Sequence, residues 1–203
     1  MKVDEWLNFF KEHQGKKLFS LSDVAQLTGI PKSSLSVQLT RLVKAKVIQR
    51  ASQVWYENPF NTPSAEEISM VLRHPAYISM EYALSKHGIL SQSVYTLTLI
   101  TTKPQYVYNT KEMVYEYHQI SKSLFWGYQN NETVLAAEPE KALLDLIYIR
   151  CIKNKELNID GIASLINDIS TDEFDLEKIR RYSKSFGPKT RKTLYQLKIL
   201  KKE

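Results

Sequence analysis

Cysteine is almost missing: Cys151 is the only one in 203 residues. A single thiol excludes an intramolecular disulfide framework, and no partner stands at metal-ligand or redox-motif spacing. A reducing, cytoplasmic location is therefore expected, with Cys151 packing as a small hydrophobe. Glycine is scarce too, six in all, and nowhere do glycines gather into a phosphate-cradling loop. No apolar run approaches the roughly 18 residues needed to span a bilayer. The opening MKVDEW puts acids where a secretion signal needs an apolar run, so neither membrane insertion nor secretion is expected. Zinc-ligand spacing and a serine, base and acid set are both wanting. The chain is thus read as a non-enzyme with no catalytic residues, no metal and no cofactor.

What is present is a globular composition, 43% apolar and 11% aromatic, enough for one large domain or two modest ones. The formal net charge of +6 is unevenly spread. Residues 1–62 hold nine Lys/Arg against five Asp/Glu, 63–175 nine against fifteen, and 176–203 ten against two. Basic ends flanking an acidic middle point to a polyanion partner, nucleic acid first among them.

The first sixty residues carry turn chemistry at telling places. Val3, Trp6, Leu7, Phe9 and Phe10 have helical spacing that stops at Gly15. Ser20 or Ser22 can cap a second helix bearing Leu21, Val24, Ala25 and Leu27. Gly29 supplies its left-handed stop, and Pro31 suits the first turn of a third helix. In that third helix Leu35, Leu39, Leu42 and Val43 form the buried stripe. The opposite face then carries Ser33, Val37, Thr40, Arg41 and Lys44, with Ser34 beside it. Hydroxyls, a valine methyl and a guanidinium are groups that meet base edges and phosphates in a major groove. Residues 49–56 read as a hairpin with Arg50 and Gln53 near its tip. The expectation is a winged helix-turn-helix over residues 1–60 that binds double-stranded DNA through Lys32, Ser33, Ser34, Val37, Thr40, Arg41, Lys44, Arg50 and Gln53.

The turn-rich NPFNTPS at 58–64, where the charge changes sign, is the expected domain boundary. Beyond it, "HPAYISMEYALSKHGIL" at 74–90 has the spacing of an amphipathic helix. Its His87 is read as a helix-end residue before the Gly88 stop, and its His74 as a loop residue. Segments 94–101, 105–109, 113–121, 124–128 and 133–136 read as strands of an antiparallel sheet. Residues 138–149 read as a buried helix, followed by helices over 160–168, 175–186 and 188–202. The predicted class is α+β: a winged helix-turn-helix, then a mixed domain at 64–203 with an antiparallel sheet and several helices.

Two charged clusters bear on chemistry. Glu138, Glu140, Lys141 and Asp145 could in principle serve a phosphoryl-transfer metal. Acids at a helix start and a Lys141–Asp145 pair at i,i+4 are accounted for by the helix dipole and a routine helical ion pair. In the basic tail, Arg180, Arg181, Lys184, Lys189, Arg191 and Lys192 are expected to form a second nucleic-acid contact.

Taken in order, the N-terminal winged helix, "PAYISMEYALSKHGI", "TLITTK", "LFWGYQ" and "VLAAEPEKALLDLIYI" resemble the AbiEi antitoxins of type IV toxin-antitoxin systems. The resemblance runs from about residue 18 to residue 149 and does not reach the last fifty. It implies a repressor of its own operon that also neutralises a cognate toxin similar to nucleotidyltransferases, without requiring a stable complex with it. Operators of such proteins are commonly inverted repeats, so two copies are expected to act together on DNA. The alternative is a freestanding winged-helix regulator whose second domain senses a ligand or protein.

Overall fold

The computed structural model describes residues 1–91, 94–110, 113–167 and 173–201. Residues 168 and 202, expected ends of two helices, lie outside the described residues. The chain divides into two compact units, Met1–Leu72 and Arg73–Glu203.

In the first unit, α1 (Val3–Glu12) turns Trp6, Phe9 and Phe10 inward, where Phe9 and Phe10 meet edge to face at 5.3 Å between ring centres. Strand β1 (Leu18–Ser20) follows. Ser20 then caps α2 (Leu21–Thr28): its hydroxyl accepts the Asp23 amide at 3.0 Å, and Asp23 accepts the Ser20 amide at 2.8 Å. Gly29 ends α2 at φ +71°, a conformation that costs an L side chain energy but not glycine. Pro31 stands just outside α3 (Lys32–Lys44), at its N-cap. Strands β2 (Arg50–Ser52) and β3 (Trp55–Glu57) close an antiparallel sheet in the order β1-β3-β2. The core gathers the aromatic residues of α1 with Phe19, Val24, Leu35, Leu39, Leu42, Ile48 and Tyr56.

Asn58 pins the end of this sheet to the first helix. Wholly buried, its amide sits among the carbonyls of Phe10, His13 and Lys16 at 3.0–3.1 Å, and its oxygen accepts the Phe60 amide at 3.0 Å. Asn58→Ala strands those acceptors and should cost about 1–3 kcal/mol, read as a lower midpoint in denaturant unfolding.

The division falls later than the 58–64 connector because α4 (Ala65–Leu72) belongs to the first unit. Glu67, in its first turn, pairs with Lys17 at 2.9 Å and accepts the Ser64 amide at 2.8 Å.

The second unit is built on a six-stranded sheet in the order β6-β7-β5-β4-β9-β8. Its strands are β4 (Ala76–Ile78), β5 (Thr96–Thr101), β6 (Tyr106–Asn109), β7 (Val114–Gln119), β8 (Tyr128–Asn131) and β9 (Val134–Ala137). The sheet is mixed, not antiparallel as expected: β5 pairs parallel with β7, and β4 with β9. The cause is β6, which runs antiparallel along the outer edge of β7 and leaves β7 between it and β5. A run as apolar as LTLI in β5 suits such a central strand.

Two local expectations are corrected. The front of 74–90 is strand β4, its three residues all buried between β5 and β9, and only the rear is helix, α5 (Met80–Lys86). The expected strand at 124–128 is a 3₁₀ turn, Lys122–Leu124, leading into Gly127 at φ +74°.

Helix α6 (Pro139–Ile147) lies at the centre, with every side chain from Glu140 to Ile147 buried. It continues into a π-helical segment, Tyr148–Lys153, and then α7 (Ile159–Asn167), α8 (Leu176–Phe186) and α9 (Pro188–Gln196). The described residues thus form an α+β chain, and among them no helix is long and apolar enough to cross a membrane.

Candidate nucleic-acid interface

Helix α3 owes its orientation to its leucines. Leu35, Leu39 and Leu42 are buried in the first unit's core, which leaves Ser33, Ser34, Val37, Arg41 and Lys44 exposed on the other side, while Lys32 is exposed as the first residue of the helix. Val37 is 52% exposed, a branched hydrophobe held in solvent by its place on the helix. Between Asp23 and Glu57 the sequence has no acid and five cations, Lys32, Arg41, Lys44, Lys46 and Arg50. The face therefore carries a one-signed field, the condition for attracting a polyanion.

Three of the expected contacts sit differently from the rest. Ser34 accepts a hydrogen bond from Gln38 at 3.2 Å, and Gln38 in turn accepts from the Trp6 indole at 3.3 Å and the Met1 amine at 2.9 Å. Thr40 is half-buried and accepts from the Arg50 guanidinium at 3.4 Å. Arg50 is not at the hairpin tip. It opens β2 at the root, donating to the Tyr56 hydroxyl at 2.8 Å and lying 5.2 Å from that ring's centre. The tip is Gln53 with Val54, both exposed. Arg50 misses the tip because β2 starts at residue 50, so the turn falls three residues further on.

The second unit carries its own basic face. Ile179, Ser183 and Phe186 of α8 and Thr190, Thr193 and Leu194 of α9 are buried, and Arg181, Lys184, Lys189, Arg191 and Lys192 project on the exposed side. Arg180 is half-buried and pairs with Glu177 at 2.7 Å, so it contributes less free charge than expected. Lys178 is held inward by Glu138 and Glu140 at 3.0 and 3.2 Å.

The acidic cluster is dispersed by the fold. Glu138 and Glu140 face Lys178, and Glu138 also accepts from the Tyr182 hydroxyl at 2.9 Å. Lys141 and Asp145 form the expected i,i+4 ion pair, with both side chains fully buried, at 2.5 Å from one another. Asp145 also accepts from the hydroxyls of Tyr77 at 2.9 Å and Ser79 at 2.8 Å, and Lys141 donates to the Tyr77 oxygen at 2.7 Å. The ammonium lies 5.1–5.3 Å from the ring centres of Tyr77, Trp126 and Phe186. Burial pushes the Asp145 carboxyl up and the Lys141 ammonium down, each opposed by the other's charge. Burial and the neighbouring Asp145 push the Tyr77 hydroxyl up. Sequence reasoning missed this assembly, although its signal was present: two charges at i,i+4 on a helix otherwise apolar on most faces.

The two histidines of 74–90 separate. His74 is exposed, whereas the His87 Nε2 lies 3.0 Å from the Ala137 carbonyl of β9, just before Gly88 at φ +75°. Among the described residues no three His, Cys, Asp or Glu side chains converge as a metal site. No model of a known protein family matches the chain, and no curated protein is similar to it.

Proposed function

We propose that the chain is a cytoplasmic, non-enzymatic DNA-binding antitoxin. In this reading the first unit is a winged helix: α3 enters the major groove of an operator and the β2–β3 hairpin is the wing. Binding represses the chain's own operon, and the second unit neutralises a cognate nucleotidyltransferase-like toxin. The observation that supports it most is the exposed, acid-free face of α3, with Ser33, Val37, Arg41 and Lys44 on one side and Lys32 exposed at its start. The basic face of α8 and α9 would add phosphate contacts, and two copies would share an inverted repeat. The antitoxin half rests on the resemblance carried by the Tyr77-Ile78-Ser79 and Glu138-Pro139-Glu140-Lys141 blocks.

A second reading, a freestanding regulator with a ligand-sensing second domain, is favoured by open clefts beside Arg150 in that unit. Growth separates the two. Cells expressing the adjacent open reading frame should arrest, and should recover when the full chain or an Arg41→Ala/Lys44→Ala variant is co-expressed. Recovery with the variant would separate neutralisation from operator binding. A harmless neighbour, or toxicity untouched by this chain, would leave the freestanding regulator.

A further inference from the structure

Arg50 and Tyr56 stand opposite one another across the β2–β3 hairpin, so their side chains leave it on the same side. Tyr56 is 1% exposed, and its ring belongs to the first unit's core. Packing alone would be served by phenylalanine. The hydroxyl has one partner among the described residues, the Arg50 Nη2 that donates to it at 2.8 Å. The same nitrogen donates to Thr40 of α3 at 3.4 Å, and the guanidinium carbon lies 5.2 Å from the centre of the Tyr56 ring. An exposed arginine is thereby held where the root of the hairpin meets α3.

The groups that hold it are neutral. Two hydroxyls and an aromatic ring fix the guanidinium, and among the described residues no carboxylate pairs with it. Arg180, by contrast, is paired with Glu177, and Arg150 with Glu81, Glu116 and Glu156. The charge of Arg50 is left for a partner outside the protein, and its Nε and Nη1 have no acceptor among the described residues. A long side chain gives up rotamer freedom when a partner immobilises it. Arg50 has already given up much of that freedom on folding.

We propose that Tyr56 is a positioning residue for DNA: its buried hydroxyl holds Arg50 ready to donate to a backbone phosphate at the edge of the groove that α3 enters. The inference rests on the DNA-binding reading of α3 and adds to it a residue that itself touches no DNA. The chemistry selects a phosphate and not a base. An arginine reads guanine by donating from two nitrogens at once, and both forks of a guanidinium include Nη2. With Nη2 committed to Tyr56 and Thr40, Arg50 is left with single donors. These suit a phosphate oxygen and carry no sequence preference.

Fluorescence anisotropy of the full chain with a labelled duplex from the DNA upstream of its own reading frame, across a salt series, tests this. Arg50→Ala should weaken binding about tenfold, as for one lost charge-assisted hydrogen bond, and lower the slope of log K against log salt by about 0.9. A shuffled duplex should show the same loss of slope. Tyr56→Phe, which keeps the ring in the core, should weaken binding about fivefold, as expected when a loose arginine must be ordered on binding. Its slope should stay that of the parent, because the phosphate contact survives. In an Arg50→Ala background Tyr56→Phe should have no further effect, whereas a merely structural role would weaken binding there as well. Circular dichroism melting checks that each variant is folded. Parental binding by Tyr56→Phe, an equal loss with and without Arg50, or an unchanged slope in Arg50→Ala would overturn the proposal. Arg41→Ala/Lys44→Ala tells that failure from a failure of the reading beneath it. If this α3 variant loses binding, only the proposal falls; if it binds as the parent does, or the parent binds no duplex, the DNA-binding reading falls and the proposal with it.

Discussion

Replacing Arg41 and Lys44 together by alanine is expected to weaken operator binding about a hundredfold while leaving the fold intact. Both side chains are exposed on α3 and neither supports the core, so the loss falls on the partner and not on stability. A guanidinium on guanine is worth about 1–3 kcal/mol, and the pair need supply only about 2.8 kcal/mol for a hundredfold effect. Fluorescence anisotropy across a salt series also separates the roles. Each lost phosphate contact lowers the slope of log K against log salt by about 0.9, whereas a lost base contact relaxes sequence preference. Arg191→Ala/Lys192→Ala should lower affinity and slope on any sequence alike. Unchanged affinity and slope in the α3 variant would mean that DNA is bound elsewhere or not at all.

Lys141→Met is expected to be the most damaging single change in the second unit. It leaves Asp145, wholly buried, with the hydroxyls of Tyr77 and Ser79 but no opposing charge. Breaking a buried ion pair from one side costs about 3–5 kcal/mol, which lowers the melting temperature of a chain this size by roughly 10 °C. Lys141→Met/Asp145→Leu should recover much of the loss, because no charge is left stranded and only two hydroxyls need new partners. Scanning calorimetry on the three chains gives the order. A single variant that melts like the parent would show that the carboxylate finds solvent.

The first unit was legible in the sequence because its signals are local. Ser20, Gly29 and the leucine stripe of α3 each act within a few residues, and cap, stop and buried face all fall where they were read. What escaped depends on pairing at a distance. Strand β1 is three residues long and exists because Leu18 to Ser20 meet β3. Strand β4 was hidden in a helical pattern because Tyr77 and Ile78 also suit an amphipathic helix; only β5 and β9 on either side make them a strand. The parallel pairs had no signature, since alternation shows which face is buried but not which way a neighbour runs. The same holds for the charged sites. The face of α3 follows from helical periodicity alone, whereas the network around Asp145 brings together residues more than sixty positions apart.

The sheet order also fixes when each half of the molecule can form during synthesis. All the strands and helices of the first unit lie within its 72 residues, so it is complete once Leu72 has been added. Strand β4 is made soon afterwards, yet its parallel partner β9 and the helix that supplies Lys141 and Asp145 come some sixty residues later. Until then β4 has an open edge and the hydroxyls of Tyr77 and Ser79 have no acceptor at Asp145. Pairings of that separation are slow to close, and domains fold as units from the N-terminal side as the chain is synthesised. The nascent protein therefore presents its α3 face before its second unit has a finished core.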